Sequence, residues 1–158
     1  MVLAASPDPA RSKREWQLLQ DQIESSDGLA QQLRDANLIR QEMPFFWSPS
    51  SPRDESVHLA DRTGRNKSLE GIVDLALFNR KANDVFILDW KTNRIAAEKI
   101  DILRDLYRPQ MAAYWQAIAS LTNGRVTAAI YSTATGQLVI YDPDDLSSEW
   151  QRLAGAIG

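Results

Sequence analysis

The chain has 158 residues, a formal net charge of −3, and ordinary shares of hydrophobic (44%) and charged (25%) residues. This length fits a single domain, 1–158, with a sizeable core, and the mild negative charge excludes a strongly basic binding surface but not an acidic site with a basic rim. The absence of cysteine excludes disulfides, zinc–thiolate sites, cysteine nucleophiles and iron–sulfur clusters. No apolar run approaches the ~18 residues of a membrane span, and the N-terminus does not fit a signal peptide, so we expect a cytoplasmic protein.

The first half of the chain is predicted to hold two helices, one strand and one long loop. Residues 1–8 are expected to be a loose tail, and residues 9–25 a helix that begins at a proline. A short helix is predicted over 29–36, and a strand over 37–47. Residues 48–68, which are poor in apolar side chains, are predicted to form a mobile loop.

Two apolar segments of strand length, 70–78 and 85–92, are predicted to form a hairpin. A four-residue loop, 80–83, would set Asn79 opposite Asp84, and the same register would set Asp74 opposite Asp89. Side chains alternate between the two faces of a sheet. One predicted face holds Val73, Leu75, Leu77, Phe86, Leu88 and Trp90, and the other holds Ile72, Asp74, Ala76, Phe78, Val85, Ile87, Asp89 and Lys91. Both faces are largely apolar, so we expect helices on both of them.

The remaining chain is predicted to continue with helices and two more strands. A helix is expected over 96–107, and a separate one from Pro109 to about 121, because proline inside a helix removes a hydrogen bond. Two strands and a closing helix are predicted over 126–132, 138–141 and 144–157.

Asp74, Asp89 and Lys91 are charged residues in otherwise apolar strands, which calls for a chemical or structural reason. Carboxylates that face each other across strands have Cβ atoms ~5 Å apart, and their repulsion favours a cation between them. Mg²⁺ or Mn²⁺ suits such an all-oxygen site. Lys91, ~6.6 Å further along the same face than Asp89, is placed to meet a phosphate oxygen or a metal-held water, an arrangement suited to attack on a phosphodiester. Glu42, on the neighbouring strand, could add a ligand or a base.

A structural alternative for these three residues is an ion pair inside the core. In that interpretation Lys91 neutralises one aspartate and has no chemical role. The alternative leaves the second aspartate without an explanation. For Gln110 and Tyr114, four residues apart on a predicted helix, the corresponding alternative is an ordinary helix face.

Four short motifs, in this order, resemble the PD-(D/E)xK nuclease superfamily and within it the nuclease domains of RecB and AddA, which end bacterial helicase–nuclease subunits. They are Glu42-Met43-Pro44-Phe45, Gly71-Ile72-Val73-Asp74-Leu75, Leu88-Asp89-Trp90-Lys91-Thr92-Asn93, and Tyr107 with Gln110 and Tyr114. The resemblance covers about residues 27–121.

The resemblance implies an α/β fold, with a mixed central sheet of restriction-endonuclease type and helices on both faces. It also implies that Asp74 and Asp89 are metal ligands with the Trp90 carbonyl, that Lys91 is the catalytic lysine, and that Glu42 is an accessory acid. The motif that follows the catalytic one in the chain contains Tyr107, Gln110 and Tyr114. These residues are implied to hold DNA or to support the geometry of the site. The implied function is a Mg²⁺- or Mn²⁺-dependent DNA exonuclease that works with a helicase in DNA repair and recombination.

Two departures from the family pattern leave a second function open. The family usually begins with a helix that carries a Gly-x-x-x-His motif, and the single histidine here, His58, lies in the predicted loop instead. Trp90 stands where the family commonly has tyrosine, but it is predicted to point away from the site. There is no phosphate-binding loop of a helicase motor in this chain. The alternative function is therefore an inactive nuclease-fold scaffold that binds DNA or a partner subunit.

Overall fold

A computed structural model describes residues 27–47 and 69–156, together with Gln17, Asp21 and Glu24. The predictions for the N-terminal tail, most of the first helix and the loop at 48–68 lie outside these residues. The described elements, in chain order, are α1 (Asp27–Asp35), β1 (Leu38–Trp47), β2 (Leu69–Asn79), β3 (Asp84–Lys91), a short 3₁₀ helix (Ala97–Lys99), α2 (Ile100–Ala119), β4 (Arg125–Ser132), β5 (Gln137–Ile140) and α3 (Pro143–Ala156).

The five strands form one mixed sheet in the order β1-β2-β3-β4-β5. Only β3 and β4 run parallel, and α2 makes the crossover that this pairing requires. The other neighbouring pairs are antiparallel. The β2–β3 hairpin has the predicted register, because Asn79 is paired with Asp84.

Helices cover both faces of the sheet, as the apolar pattern on β2 and β3 predicts. On one face Leu29 of α1 is fully buried against the sheet. Its partners in this cluster are Leu75, Leu77, Phe86, Leu88, Ala129 and Tyr131. On the other face α2 and α3 bury a larger cluster, with Ala76, Val85, Ile87, Leu103, Met111, Ala112, Ile118, Val126, Ala128, Ile130 and Leu146 among its members. This arrangement confirms the α/β fold of restriction-endonuclease type.

The prediction that Pro109 separates two helices is wrong. Helix α2 runs without interruption from Ile100 to Ala119, with Pro109 inside it. Proline removes one hydrogen bond from the helix interior, but Leu103 on one side of it and Met111 and Ala112 on the other are buried against the sheet. This burial holds both halves of α2 on one axis, which offsets the lost bond.

No helix in the described ranges is both long and apolar enough to cross a membrane.

The role of α1 as the cover of one sheet face can be tested with Leu29→Ala. Leu29 is fully buried, so we expect the substitution to lower the free energy of unfolding by about 2–5 kcal/mol. Urea unfolding followed by circular dichroism measures the effect. The control is Leu121→Ala, whose side chain is 71% exposed and should change stability by no more than about 0.5 kcal/mol. Equal effects of the two substitutions would contradict the packing of α1 described here.

Candidate active site

The candidate site lies where β2 separates from β3. The paired residues of these two strands end at Leu75 and Leu88, one step before Asp74 and Asp89. Strand β3 stays paired with β4 for three more residues, as far as Lys91 and Ser132. The predicted direct pairing of Asp74 with Asp89 is therefore not formed, and the two aspartates lie at a fork between the strands.

The strict alternation of side chains predicted for β2 is wrong for the residues that precede Asp74. Val73 packs in the cluster under α2, whereas Leu75 packs in the cluster under α1. Ile72, predicted on the α2 face, is 54% exposed. Register places Glu42 of β1 opposite Asp74, between the pairs Gln41–Leu75 and Met43–Val73.

The backbone of Glu42 explains the change of faces. Its φ of 48° lies in the left-handed region, which non-glycine residues in strands rarely adopt. A left-handed residue interrupts the extended geometry on which alternation depends. Beyond it, Met43 and Phe45 both join the cluster under α2. The side-chain alternation of β1 and of β2 is therefore interrupted at the same position along the sheet, and Asp74 lies at that position.

Asp74 joins the two strands at the fork through its side chain. Its Oδ2 accepts a hydrogen bond from the Trp90 backbone N–H at 2.9 Å. The Lys91 carbonyl accepts a hydrogen bond from the Thr133 N–H, on the β4 side, at 2.9 Å. Because the backbone groups of successive strand residues point to opposite sides, the Trp90 carbonyl faces the fork, on the same side as its N–H. The indole of Trp90 packs against Tyr131, in the core cluster under α1, as predicted.

Lys91 is held by three different partners. Its ammonium forms an ion pair with Asp89 Oδ2 and donates to Gln110 Oε1 at 2.9 Å. The third contact is with the ring of Tyr107, whose centroid lies 3.7 Å from Nζ. Lys91 is 8% exposed and Asp89 is 4% exposed, so the charged pair is largely withdrawn from water.

Burial makes the charge on Asp89 costly. Desolvation raises the pKa of Asp89, and the hydrogen bond and charge of Lys91 oppose this rise. The negative charge of Asp74 adds to the rise, which shows that the two carboxylates interact. Two carboxylates and one ammonium leave an excess of negative charge at the fork, and a bound cation would relieve it.

The donor atoms at the fork suit a hard divalent cation. Asp74 and Asp89 offer carboxylate oxygens, and Trp90 offers a carbonyl that faces the same gap. Oxygen donors of this kind are what Mg²⁺ and Mn²⁺ take in proteins. Over the described ranges, however, no group of three or more His, Cys, Asp and Glu side chains is gathered closely enough to hold a metal ion. Glu42 is exposed on β1, and its part in the site stays a prediction.

Helix α2 supplies the side chains that support Lys91. Gln110, which accepts from the ammonium, donates through Nε2 to the Tyr114 hydroxyl at 2.8 Å. The ring of Tyr114 packs edge-on against Phe45 of β1, with 5.2 Å between the ring centroids. Burial raises the pKa of Tyr114, and the hydrogen bond that its hydroxyl accepts from Gln110 opposes this rise. The predicted helical pair is therefore a connected support between β1 and Lys91.

A comparison with protein families gives a match over most of the chain. The family model of the PD-(D/E)XK nuclease superfamily matches residues 4–155. The chain belongs to this superfamily. The segment Asp89-Trp90-Lys91 has the Asp-x-Lys spacing that appears in the family's description, and its catalytic role stays a prediction. Membership supports nuclease activity, and nucleases of this superfamily typically use divalent metal ions.

Other comparisons add little to the superfamily assignment. The search of curated proteins found no match. Among solved structures, the chain described as "Crystal structure of SSO0001" aligns with a TM-score of 0.44 and 12% sequence identity. The alignment covers 94% of this chain and 68% of that chain. A likeness at this level carries no argument about fold or function.

Sequence reasoning assigned no role to Asn93, Phe45 or Gly71, which the structure places around the site. Asn93 accepts a hydrogen bond from the Tyr107 hydroxyl, and Phe45 and Gly71 pack beneath Tyr114. The quoted motifs contain all three residues, but no spacing rule links them to α2. Their contacts depend on how α2 lies across the sheet.

The close packing beneath Tyr114 can be tested with Gly71→Ala. A Cβ atom at Gly71 would lie 2.8 Å from two atoms of the Phe45 ring and 3.2 Å from Tyr114 Cε1. Since Phe45 is buried, we expect the substitution to destabilise the protein by about 1–3 kcal/mol, measured by urea unfolding. The control is Gly28→Ala in α1, whose Cβ would approach only the flexible end of Leu138, at 3.2 Å. Alanine favours a helix over glycine by up to about 1 kcal/mol, so a similar loss in both variants would contradict this packing.

Proposed function

We propose that this chain is a metal-dependent deoxyribonuclease of the RecB/AddA type that hydrolyses phosphodiester bonds at the fork between β2 and β3. The observation that carries the proposal is the buried ammonium of Lys91, ion-paired with Asp89 and hydrogen-bonded to Gln110. A core ion pair alone would not need the second carboxylate of Asp74, nor a strand ladder that ends beside it. A DNA substrate also fits a cytoplasmic location.

The proposed roles follow from where each group points. Asp74, Asp89 and the Trp90 carbonyl would hold Mg²⁺ or Mn²⁺ in the gap at the fork, and Glu42 would act as an accessory acid. An ion held there would supply Lewis-acid stabilisation of the phosphoryl oxygens and would lower the pKa of a water molecule beside it. Lys91 would hold a nonbridging phosphate oxygen or orient the water, since an ammonium is a compact donor of three hydrogen bonds.

The support from α2 gives Lys91 a fixed position before substrate arrives. Gln110 holds the ammonium from the α2 side, and Tyr114 holds the Gln110 amide in turn. Fixed donors stabilise developing charge better than mobile ones, because the reaction then needs little reorganisation. In this proposal the helix residues act on the lysine, and contact with DNA is a second role that Tyr107 and Tyr114 could share.

The proposed mode of cleavage and the proposed partner both rest on the order of the four motifs in the chain. Their order is that of RecB and AddA, whose nuclease domains end helicase–nuclease subunits. We therefore propose exonuclease action, with a helicase domain or subunit as partner, in DNA repair and recombination. Cleavage of linear but not of closed circular DNA would support exonuclease action, and cleavage of both would contradict it.

Substitution of the acidic centre tests the enzymatic proposal. We expect Asp89→Asn and Lys91→Met each to reduce Mg²⁺- or Mn²⁺-dependent cleavage of linear DNA by about 10²-fold or more, because each removes a charge that acts on the phosphate or the cation. The matched control is Asp84→Asn, at the opposite end of the same strand, where the carboxylate pairs with an exposed arginine. If Asp89→Asn cleaves DNA as fast as Asp84→Asn does, the proposed site is wrong.

A second candidate function is a scaffold of nuclease fold that binds DNA or a partner without cleaving. It is favoured by the count of only two clustered carboxylates among the described residues and by the missing His motif. Titration calorimetry with Mn²⁺ separates the two functions. We expect one binding site in the wild-type protein and its loss in an Asp74→Asn/Asp89→Asn double variant, since both ligands are removed.

The negative outcome of this titration is equally informative. A wild-type protein that neither binds Mn²⁺ nor cleaves DNA would support the scaffold. Retained binding in the double variant would place the cation elsewhere and contradict the proposed ligands. Asp84→Asn serves again as the control, because its carboxylate lies at the other end of β3.

A further inference from the structure

The third partner of Lys91 is an aromatic face. An ammonium has three N–H donors, and two of them are directed to Asp89 and Gln110. The ring of Tyr107, with its centroid 3.7 Å from Nζ, covers the remaining side. A cation over a ring face is attracted by the electron density of that face, and more strongly when water is excluded. Lys91 is 8% exposed, so this condition is met.

The ring of Tyr107 is itself held from its far end. Its hydroxyl donates to Asn93 Oδ1 at 2.9 Å. Asn93 lies two residues after Lys91, in the segment between β3 and the 3₁₀ helix that has no regular secondary structure. The hydrogen bond therefore ties this segment to α2 and closes a ring of contacts that runs from Lys91 through Tyr107 to Asn93 and back along the chain.

We propose that Asn93 is a positioning residue, which sets the orientation of the Tyr107 ring and through it the position of the Lys91 ammonium. The importance of this position for cleavage rests on the proposed function, but the contact itself does not. Lysine has a flexible four-carbon stem, and a hydroxyl fixed at the ring's far end limits rotation of Tyr107 away from the ammonium. Asn93 is exposed and Tyr107 is partly exposed, so without this bond water could replace the ring.

A structural interpretation competes with this one. The Asn93–Tyr107 bond could merely fasten the segment after β3 to α2, with no effect on Lys91. The two interpretations differ in a measurable way. A fastening role changes stability alone, whereas a positioning role changes the surroundings of the Lys91 side chain at constant fold.

Nuclear magnetic resonance of protein with isotope-labelled lysine, free of metal and DNA, tests the contact directly. The ring face should shift the ε-methylene protons of Lys91 upfield from those of the other lysines, with Lys91→Arg used for assignment. Tyr107→Leu should abolish this shift, and Asn93→Ala should reduce it. Asn93→Asp, which keeps an acceptor for the hydroxyl, should restore it, and Asn123→Ala, in the turn between α2 and β4, should leave it as in the wild type. An unchanged shift in Asn93→Ala overturns the proposal.

Kinetics of DNA cleavage test the consequence. We expect Asn93→Ala and Tyr107→Phe to lower kcat by about 10-fold, because a displaced catalytic group loses rate rapidly, with KM for DNA unchanged. The double variant should be no slower than either single variant, since both remove the same hydrogen bond. Additive losses, or an increase in KM without a change in kcat, overturn the proposal, because Asn93 would then act separately from Tyr107 or bind DNA itself.

The two measurements keep the two proposals apart. If the wild-type protein does not cleave DNA, the proposed function fails, and the Lys91 proton shifts still decide whether Asn93 positions the ring. If the wild-type protein cleaves DNA but Asn93→Ala keeps both the upfield shift and the full kcat, the role of Asn93 fails and the nuclease assignment stands.

Discussion

A buried ammonium is the constraint on which the candidate site depends. Lys91 is almost out of contact with water, and a charge in that position must be paired and hydrogen-bonded. Its partners come from two elements, because Asp89 lies on the same strand and both Gln110 and Tyr107 lie on α2. The helix must therefore keep its position over the sheet for the lysine to stay satisfied.

The separation of β2 from β3 leaves a gap between the two strands beside Lys91. A continuous ladder would have used the Trp90 N–H and carbonyl in strand pairing. The Asp74 carboxylate takes the N–H instead, and the carbonyl is left facing the gap. Strand β3 stays paired with β4 along this stretch. The gap is therefore confined to the β2 side of β3, and Asp89 and Lys91 stay on a paired strand.

The sequence predicted the five strands of the sheet and the hairpin register because these depend on local patterns. A four-residue turn and two apolar segments were sufficient to place Asn79 opposite Asp84, as observed. The face of Val73 was not predictable, since it depends on one left-handed residue in the neighbouring strand, Glu42. The continuity of α2 through Pro109 was missed for a related reason, because burial on both sides of a proline is a property of the folded protein.

The charged residues of the candidate site were predictable, and the resemblance also indicated Tyr107, Gln110 and Tyr114 as its support, but the contacts of Asn93, Phe45 and Gly71 were not predictable. Asp74, Asp89 and Lys91 stand out because charge is rare in apolar strands, whereas Asn93 and Gly71 look ordinary in the sequence. Their contacts with Tyr107, Phe45 and Tyr114 join segments far apart in the chain. Single-sequence patterns carry no record of such contacts.

The hairpin turn at the far end of β2 and β3 offers a practical consequence. Asp84 lies five residues before Asp89 on β3, which places the turn at least about 17 Å from the candidate site. The side chain of Lys81 is exposed in that turn, and its backbone N–H is already bonded to Asn79. A fluorophore attached to a cysteine introduced there, in a chain that has no other cysteine, would report by energy transfer whether labelled DNA reaches the proposed site, without changing any residue of that site.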